Sequence, residues 1–172
     1  MPEGSKRQLA LIIAATVVLS LGFAGVAHAK KRNHVLSVDY KSGRRGIDNT
    51  TPMTTQLDDQ GTLVGRPFGS KEVKVDELIL DTYNSPNCLP FCTGTEHTTF
   101  RIDAFPNGML RGSYDFSFGS DGNPSSPITG SITGGSGKFR GAKGSFQVLN
   151  RVAGPIGDTT GYTGRWQGSI RY

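Results

Sequence analysis

The sequence predicts an all-β protein, an eight-stranded antiparallel barrel preceded by an N-terminal signal peptide. Three observations carry this. Eight short runs alternate apolar and polar residues or are rich in β-branched side chains. Turn-forming residues separate each run from the next. Helical periodicity is weak throughout, and no repeat of propeller or solenoid period is visible.

The runs are His34–Tyr40, Thr54–Val64, Lys74–Tyr83, Glu96–Phe105, Met109–Phe118, Pro127–Thr133, Ala142–Val152 and Tyr162–Tyr172. The first turn is expected over Lys41–Asn49. The others are Gly65–Ser70, Asn84–Gly94, Pro106-Asn107-Gly108, Gly119–Pro124, Gly134–Gly141 and Gly154–Gly161. Asn107-Gly108 suits the positive φ values of a tight hairpin. Runs at this spacing make a sandwich or a barrel. One apolar and one polar face per strand favour a barrel with a greasy interior. A β-sandwich adhesion module using a basic surface is the competing reading.

Alternation assigns the inner faces. Leu110, Tyr114, Phe116 and Phe118 share one face; Phe100, Ile102 and Ala104 another. Phe146, Val148, Asn150 and Val152 oppose Gln147 and Arg151. Tyr162, Trp166 and Ile170 oppose Thr163, Arg165, Gln167 and Arg171. Gly112, Gly130, Gly164 and Gly168 fall on inner faces. They either leave room for a ligand or mark bends.

The N-terminus has targeting character. Lys6 and Arg7 precede an apolar run from Leu9 to Ala24, and Ala27-His28-Ala29 offers the small residues of a cleavage site. Cleavage after Ala29 is expected, leaving 30–172 as one domain in a secreted or periplasmic setting. The run is short for a membrane span, although Lys30, Lys31 and Arg32 keep an uncleaved anchor open. The formal charge of the whole chain is +5. That is mild, and the basic residues are scattered in sequence, so no nucleic-acid partner is expected. The 24 glycines are spread along the chain, many between the runs, rather than concentrated in a linker, and imply tight turns rather than disorder. Asn49-Thr50-Thr51 is a glycosylation sequon, used only in a eukaryotic secretory pathway.

Cys88 and Cys92 are the only cysteines. Export favours a disulfide closing the Leu89-Pro90-Phe91 loop. A metal pair would need further ligands, and only His34 and His97 lie beyond the targeting segment. A redox pair normally has two intervening residues, not three.

The stretch Ile132–Phe146 holds five glycines between Gly134 and Gly144. It fails the phosphate-loop motif: Ile132 stands where the first glycine belongs, and Phe139 follows Lys138 where Ser or Thr is needed. It reads instead as a bent connector between two strands. Gly134-Gly135-Ser136-Gly137-Lys138-Phe139-Arg140-Gly141-Ala142-Lys143-Gly144 resembles the connector-plus-strand signature of the allene oxide cyclase and dirigent superfamily. Lys143 stands where plant dirigent proteins usually carry arginine. The resemblance implies an antiparallel barrel that holds a reactive hydrophobic molecule in its lumen. It implies steering of cyclisation or coupling with no metal or organic cofactor, and a homotrimer.

Catalytic constellations such as Gly-x-Ser-x-Gly or His-Glu-x-x-His are absent from the sequence. What remains is polar groups on apolar faces. Glu77 follows Val73 and Val75 in phase and precedes Ile79, unless a bulge turns it to solvent. Tyr114 and Asn150 sit among apolar neighbours on their strands. These three are the candidates to orient a ligand or move a proton. Phe100, Phe116, Phe146 and Trp166 form the candidate ligand-contacting wall, with Trp166 either a wall or a core plug. Asp39 is expected to be exposed. The expected function is a cofactor-independent cyclase or isomerase. The alternative is a non-catalytic barrel that binds a hydrophobic ligand or serves at a surface or under stress.

Overall fold

The computed structural model describes residues 31–86, 92–153 and 161–172. Their backbone forms β1 (Asn33–Thr50), β2 (Thr54–Arg66), β3 (Gly69–Tyr83), β4 (Gly94–Asp103), β5 (Met109–Phe118), β6 (Ile128–Gly135), β7 (Lys143–Ala153) and β8 (Tyr162–Arg171). Each strand pairs antiparallel with the next, and β8 returns to β1, from Asn33↔Arg171 to Lys41↔Thr163, closing the barrel. Closure removes sheet edges and excludes the sandwich alternative. The expected signal peptide lies outside the described residues, as do Cys88 and its loop.

The first strand corrects the sequence reading. Lys41–Asn49 is not a turn. β1 runs through it, paired with β2 from Ser37↔Arg66 to Thr50↔Thr55. Register shifts between Ser42 and Arg44 and between Ile47 and Asn49 absorb the glycines and charges that read as a loop. The turn sits at Thr51–Met53, where Thr51 Oγ1 accepts from the backbone N–H of Thr54 at 3.0 Å.

The register defines two ends. The base is where β1 begins and β8 finishes; it carries the β2–β3, β4–β5 and β6–β7 connections. The rim carries the other connections. Toward the base the interior is apolar, with Leu36, Leu63, Val75, Ile102, Leu110, Ile132 and Ile170 buried. The glycine-rich connector closes this end. It makes a single 3-10 turn, Gly137–Phe139, and seats Phe139 against Phe68 and Tyr172, ring centroids 6.0 and 4.9 Å away. Gly137 has φ 57°, and a Cβ there would lie 2.6 Å from the Asn107 carbonyl oxygen, so only glycine fits.

Across the middle lies an aromatic layer. Trp166 stacks on Phe146 at 4.8 Å and 10°, with Phe100 at 4.8 Å and Tyr114 at 5.8 Å from Trp166. The inner glycines explain how these rings fit. The Phe100 ring covers Gly112, and the Phe146 ring covers Gly130. The volume left by those glycines is therefore filled by aromatic neighbours rather than left open.

Candidate functional site

On the rim side of the aromatic layer the inward face turns polar. β3 keeps its alternation without a bulge, so Glu77 points inward with Val75 and Ile79 and is 3% exposed. Its β2 neighbour across the ladder is Asp59, also buried, because Asp59 is in phase with Leu57 and Leu63. Two carboxyls are thus laterally adjacent inside the barrel.

Tyrosine hydroxyls surround Glu77. Tyr40, from β1, donates to Oε2 at 2.8 Å and lies 3.3 Å from Asp59 Oδ2. Tyr162, from β8, lies 3.1 and 3.0 Å from the two Glu77 oxygens. Tyr114, from β5, is 3.2 Å from Oε1 and 2.5 Å from the Tyr162 hydroxyl. Ser42 holds the far side of Asp59 at 2.5 Å. A phenolic hydrogen serves one acceptor at a time, so moving a proton on Glu77 rearranges the set.

Burial is the main force on Glu77 and pushes its carboxyl up; the Tyr40 and Tyr162 hydrogen bonds oppose this, and nearby Asp59 and Glu96 add to it. The result is a pKa of about 8. The Tyr114 and Tyr162 hydroxyls are driven well above their ordinary value, first by burial and then by Glu77. Tyr40 moves the same way for the same reasons. The cluster therefore has one group that titrates near neutrality and three phenols that keep their protons.

A second cluster lies beside it. Arg151 Nη2 meets Glu96 Oε2 at 2.9 Å, and Thr98 donates to Glu96 Oε1 at 3.0 Å. The guanidinium lies 4.5 Å from the ring centroids of both Phe116 and Tyr162. Burial works against its charge, but Glu96 and the neighbouring phenols outweigh it and the pKa rises. Arg151 Nε and Trp166 Nε1 are buried without a hydrogen-bond partner. Both are donors left unpaired among the described residues.

Arg151 and Asn150 correct the sequence reading together. Alternation placed Asn150 and Val152 inside and Arg151 outside. In the structure Asn150 has φ 53°, and the β7–β8 register shifts between Leu149 and Val152. The extra residue reverses the faces. Arg151 turns inward, Asn150 is exposed, and Val152 is 65% exposed. Asn150 therefore does not reach the lumen.

The other predicted positions fall as follows. Glu77 and Tyr114 touch. Phe100, Phe146 and Trp166 form the aromatic layer, and Phe116 lies under Arg151. Trp166 is fully buried and packed on every aromatic neighbour, so it belongs to the plug. Asp39 is exposed and paired with Arg165 at 2.8 Å. Cys92 is buried. Tyr40, Tyr162, Asp59, Ser42, Glu96 and Arg151 were not singled out as site residues. The first three were in phase with apolar neighbours, a usable signal; Arg151 was not.

Among the described residues no group of three or more His, Cys, Asp or Glu is placed to hold a metal ion, and no helix is long and apolar enough to cross a membrane. A groove of about 260 Å³ runs across the β2–β4 wall, lined by the outward side chains of Asp58, Asp76, Leu78, Thr99 and Arg101 and also by Glu77 and Phe100.

No family model matches the chain. No curated protein matches it either. Among solved structures, one described as pyocyanin demethylase aligns with a TM-score of 0.45 and 13% identity, over 78% of this chain and 99% of that one.

Proposed function

We propose that the rim half of the barrel binds a small hydrophobic molecule, and that Glu77 with its tyrosines moves a proton on it. The reaction would be a cyclisation, isomerisation or coupling without a cofactor. The observation that supports this is the Glu77 carboxyl, buried among Tyr40, Tyr114 and Tyr162 and titrating near neutrality. A carboxyl with that pKa can act as base or acid at ordinary pH. The phenols can donate to a developing oxyanion in an environment of low polarity. The aromatic layer of Trp166, Phe146 and Phe100 limits any ligand to the rim side. There it meets Asp59, Glu77 and Glu96, with Arg151 already paired, so the ligand is uncharged or cationic rather than a carboxylate.

The second reading is binding without turnover. It draws on the saturation of Glu77: its oxygens already accept from the phenols, so the network can serve to orient a ligand alone. Export and a Cys88–Cys92 bridge, expected from the sequence, and a trimer, implied only by the resemblance, belong to the same proposal. The test is incubation of the barrel with a small-molecule extract, followed by mass spectrometry of bound and released species. An isomerised or coupled product that disappears with Glu77→Gln supports catalysis. An unchanged ligand supports carriage, and no captured species overturns both. Phenylnaphthylamine should displace the ligand better than its sulfonate; the reverse order would sink the charge argument.

A further inference from the structure

The basic residues that are scattered in sequence collect at one end of the folded barrel. Lys31, Arg32, Arg66, Lys71, Lys74, Arg101, Arg111, Lys138, Arg140, Lys143 and Arg171 are all exposed and all lie at or near the base. The acids there are Glu72, Asp103, which stands directly opposite Lys74, and Asp76, directly opposite Arg101. None of these cations reaches a carboxylate within ion-pair distance among the described residues, where the ion pairs are His97–Asp115, Arg151–Glu96 and Arg165–Asp39. Lys31 and Lys143 hold backbone carbonyls instead, those of Gly141 at 2.7 Å and Thr133 at 3.0 Å.

The register sharpens this. Arg101 stands directly opposite Arg111 across β4 and β5, and Lys143 directly opposite Arg171 across β7 and β8. Both pairs project outward. Like charges in directly opposed positions destabilise a sheet. Asp76 faces Arg101 from β3 without reaching ion-pair distance, and Arg111 and Arg171 have Gly134 and Asn33, not an acid, on their other sides, so an external anion relieves both pairs.

The same end carries an exposed aromatic ring. Phe105 is 89% exposed at the β4–β5 turn. That turn is tied to the basic connector, since Lys138 donates its backbone N–H to the Asn107 carbonyl at 2.8 Å. Phe105 and Lys138 are therefore held on one surface.

The geometry points to the base as a docking face for an anionic lipid bilayer. The cations are set around the barrel axis rather than along a line. A ring of charges matches a plane of headgroups, whereas a nucleic-acid strand needs a linear track of cations with stacking partners. Phe105 projects from the ring as an apolar ring would to enter the interface, and basic residues around it supply the electrostatic half of such binding.

The experiment is vesicle co-sedimentation of residues 30–172, a segment whose sheet closes on itself. Phosphatidylcholine vesicles are compared with vesicles that also contain phosphatidylglycerol. The expected result is binding that requires phosphatidylglycerol and weakens as salt rises. Lys138→Gln with Arg140→Gln, on the exposed connector, should lower the partition coefficient roughly 25-fold, about fivefold per charge. Phe105→Ser should lower it while leaving the salt dependence intact. Equal binding to both vesicles, no binding at low salt, or full binding by the connector variant would each overturn the proposal. So would binding to heparin or poly-uridine with none to vesicles.

Discussion

Arg151 reaches Glu96 at 2.9 Å because Asn150, the residue before it, adopts φ 53°. The left-handed residue inserts one position into β7 and rotates the guanidinium from the wet face to the interior. Asparagine is among the few residues that tolerate this conformation. Asn150→Gly should leave stability nearly unchanged. Asn150→Val should cost about 2 kcal/mol or more, because a β-branched residue opposes the bulge and a failed bulge strands Glu96 without its partner. Chemical denaturation of the two variants checks this, and equal stability would refute it.

The raised pKa of Glu77 makes stability depend on pH. Its folded value, about 8, lies above the ordinary carboxyl value, so the folded protein holds a proton that the unfolded chain has released. Its contribution is fully present below about pH 4 and is lost as pH rises to about 8. The loss is about 5 kcal/mol at most. The curve of Glu77→Gln should lack this decline. Denaturation midpoints across that window measure it, and parallel curves for both proteins would rule out the assignment.

Tyr162→Phe removes the hydroxyl that bridges both Glu77 oxygens and Tyr114. The Tyr162 bond favours ionised Glu77, so its loss should raise the carboxyl pKa further. Trp166 lies 5.9 Å from Tyr40, which bonds Glu77, and is the only tryptophan. Its emission should titrate with a midpoint near 8 in the parent and higher in Tyr162→Phe. A midpoint that moves down would contradict the network.

These residues were unequally legible in the sequence. Glu77 and Tyr114 sit on strands whose alternation is unbroken, so phase alone sent them inward. Tyr40 and Tyr162 were in phase too. Their meeting at Glu77 depends on barrel closure, which brings together strands distant in the chain. Arg151 was illegible because one inserted residue inverts every face beyond it. Lys41–Asn49 read as a turn for a related reason: two register shifts let a glycine-bearing, charged segment continue as strand. The barrel followed from the periodicity; its irregularities, which shape the site, did not.

Gly130 and Phe146 offer the sharpest test of the filled interior. Gly130 lies between Tyr114 of β5 and Phe146 of β7 in the ladder, and the Phe146 ring covers the place a Cβ would take. Gly130→Ala should push Phe146 off its stack with Trp166 and cost about 1–3 kcal/mol. Pairing it with Phe146→Leu should cost less than the sum of the single changes, because the shorter side chain vacates the collision. Had the glycine merely marked a bend, the alanine would be tolerated in both backgrounds and the two costs would add. Denaturation of the single and double variants separates these outcomes.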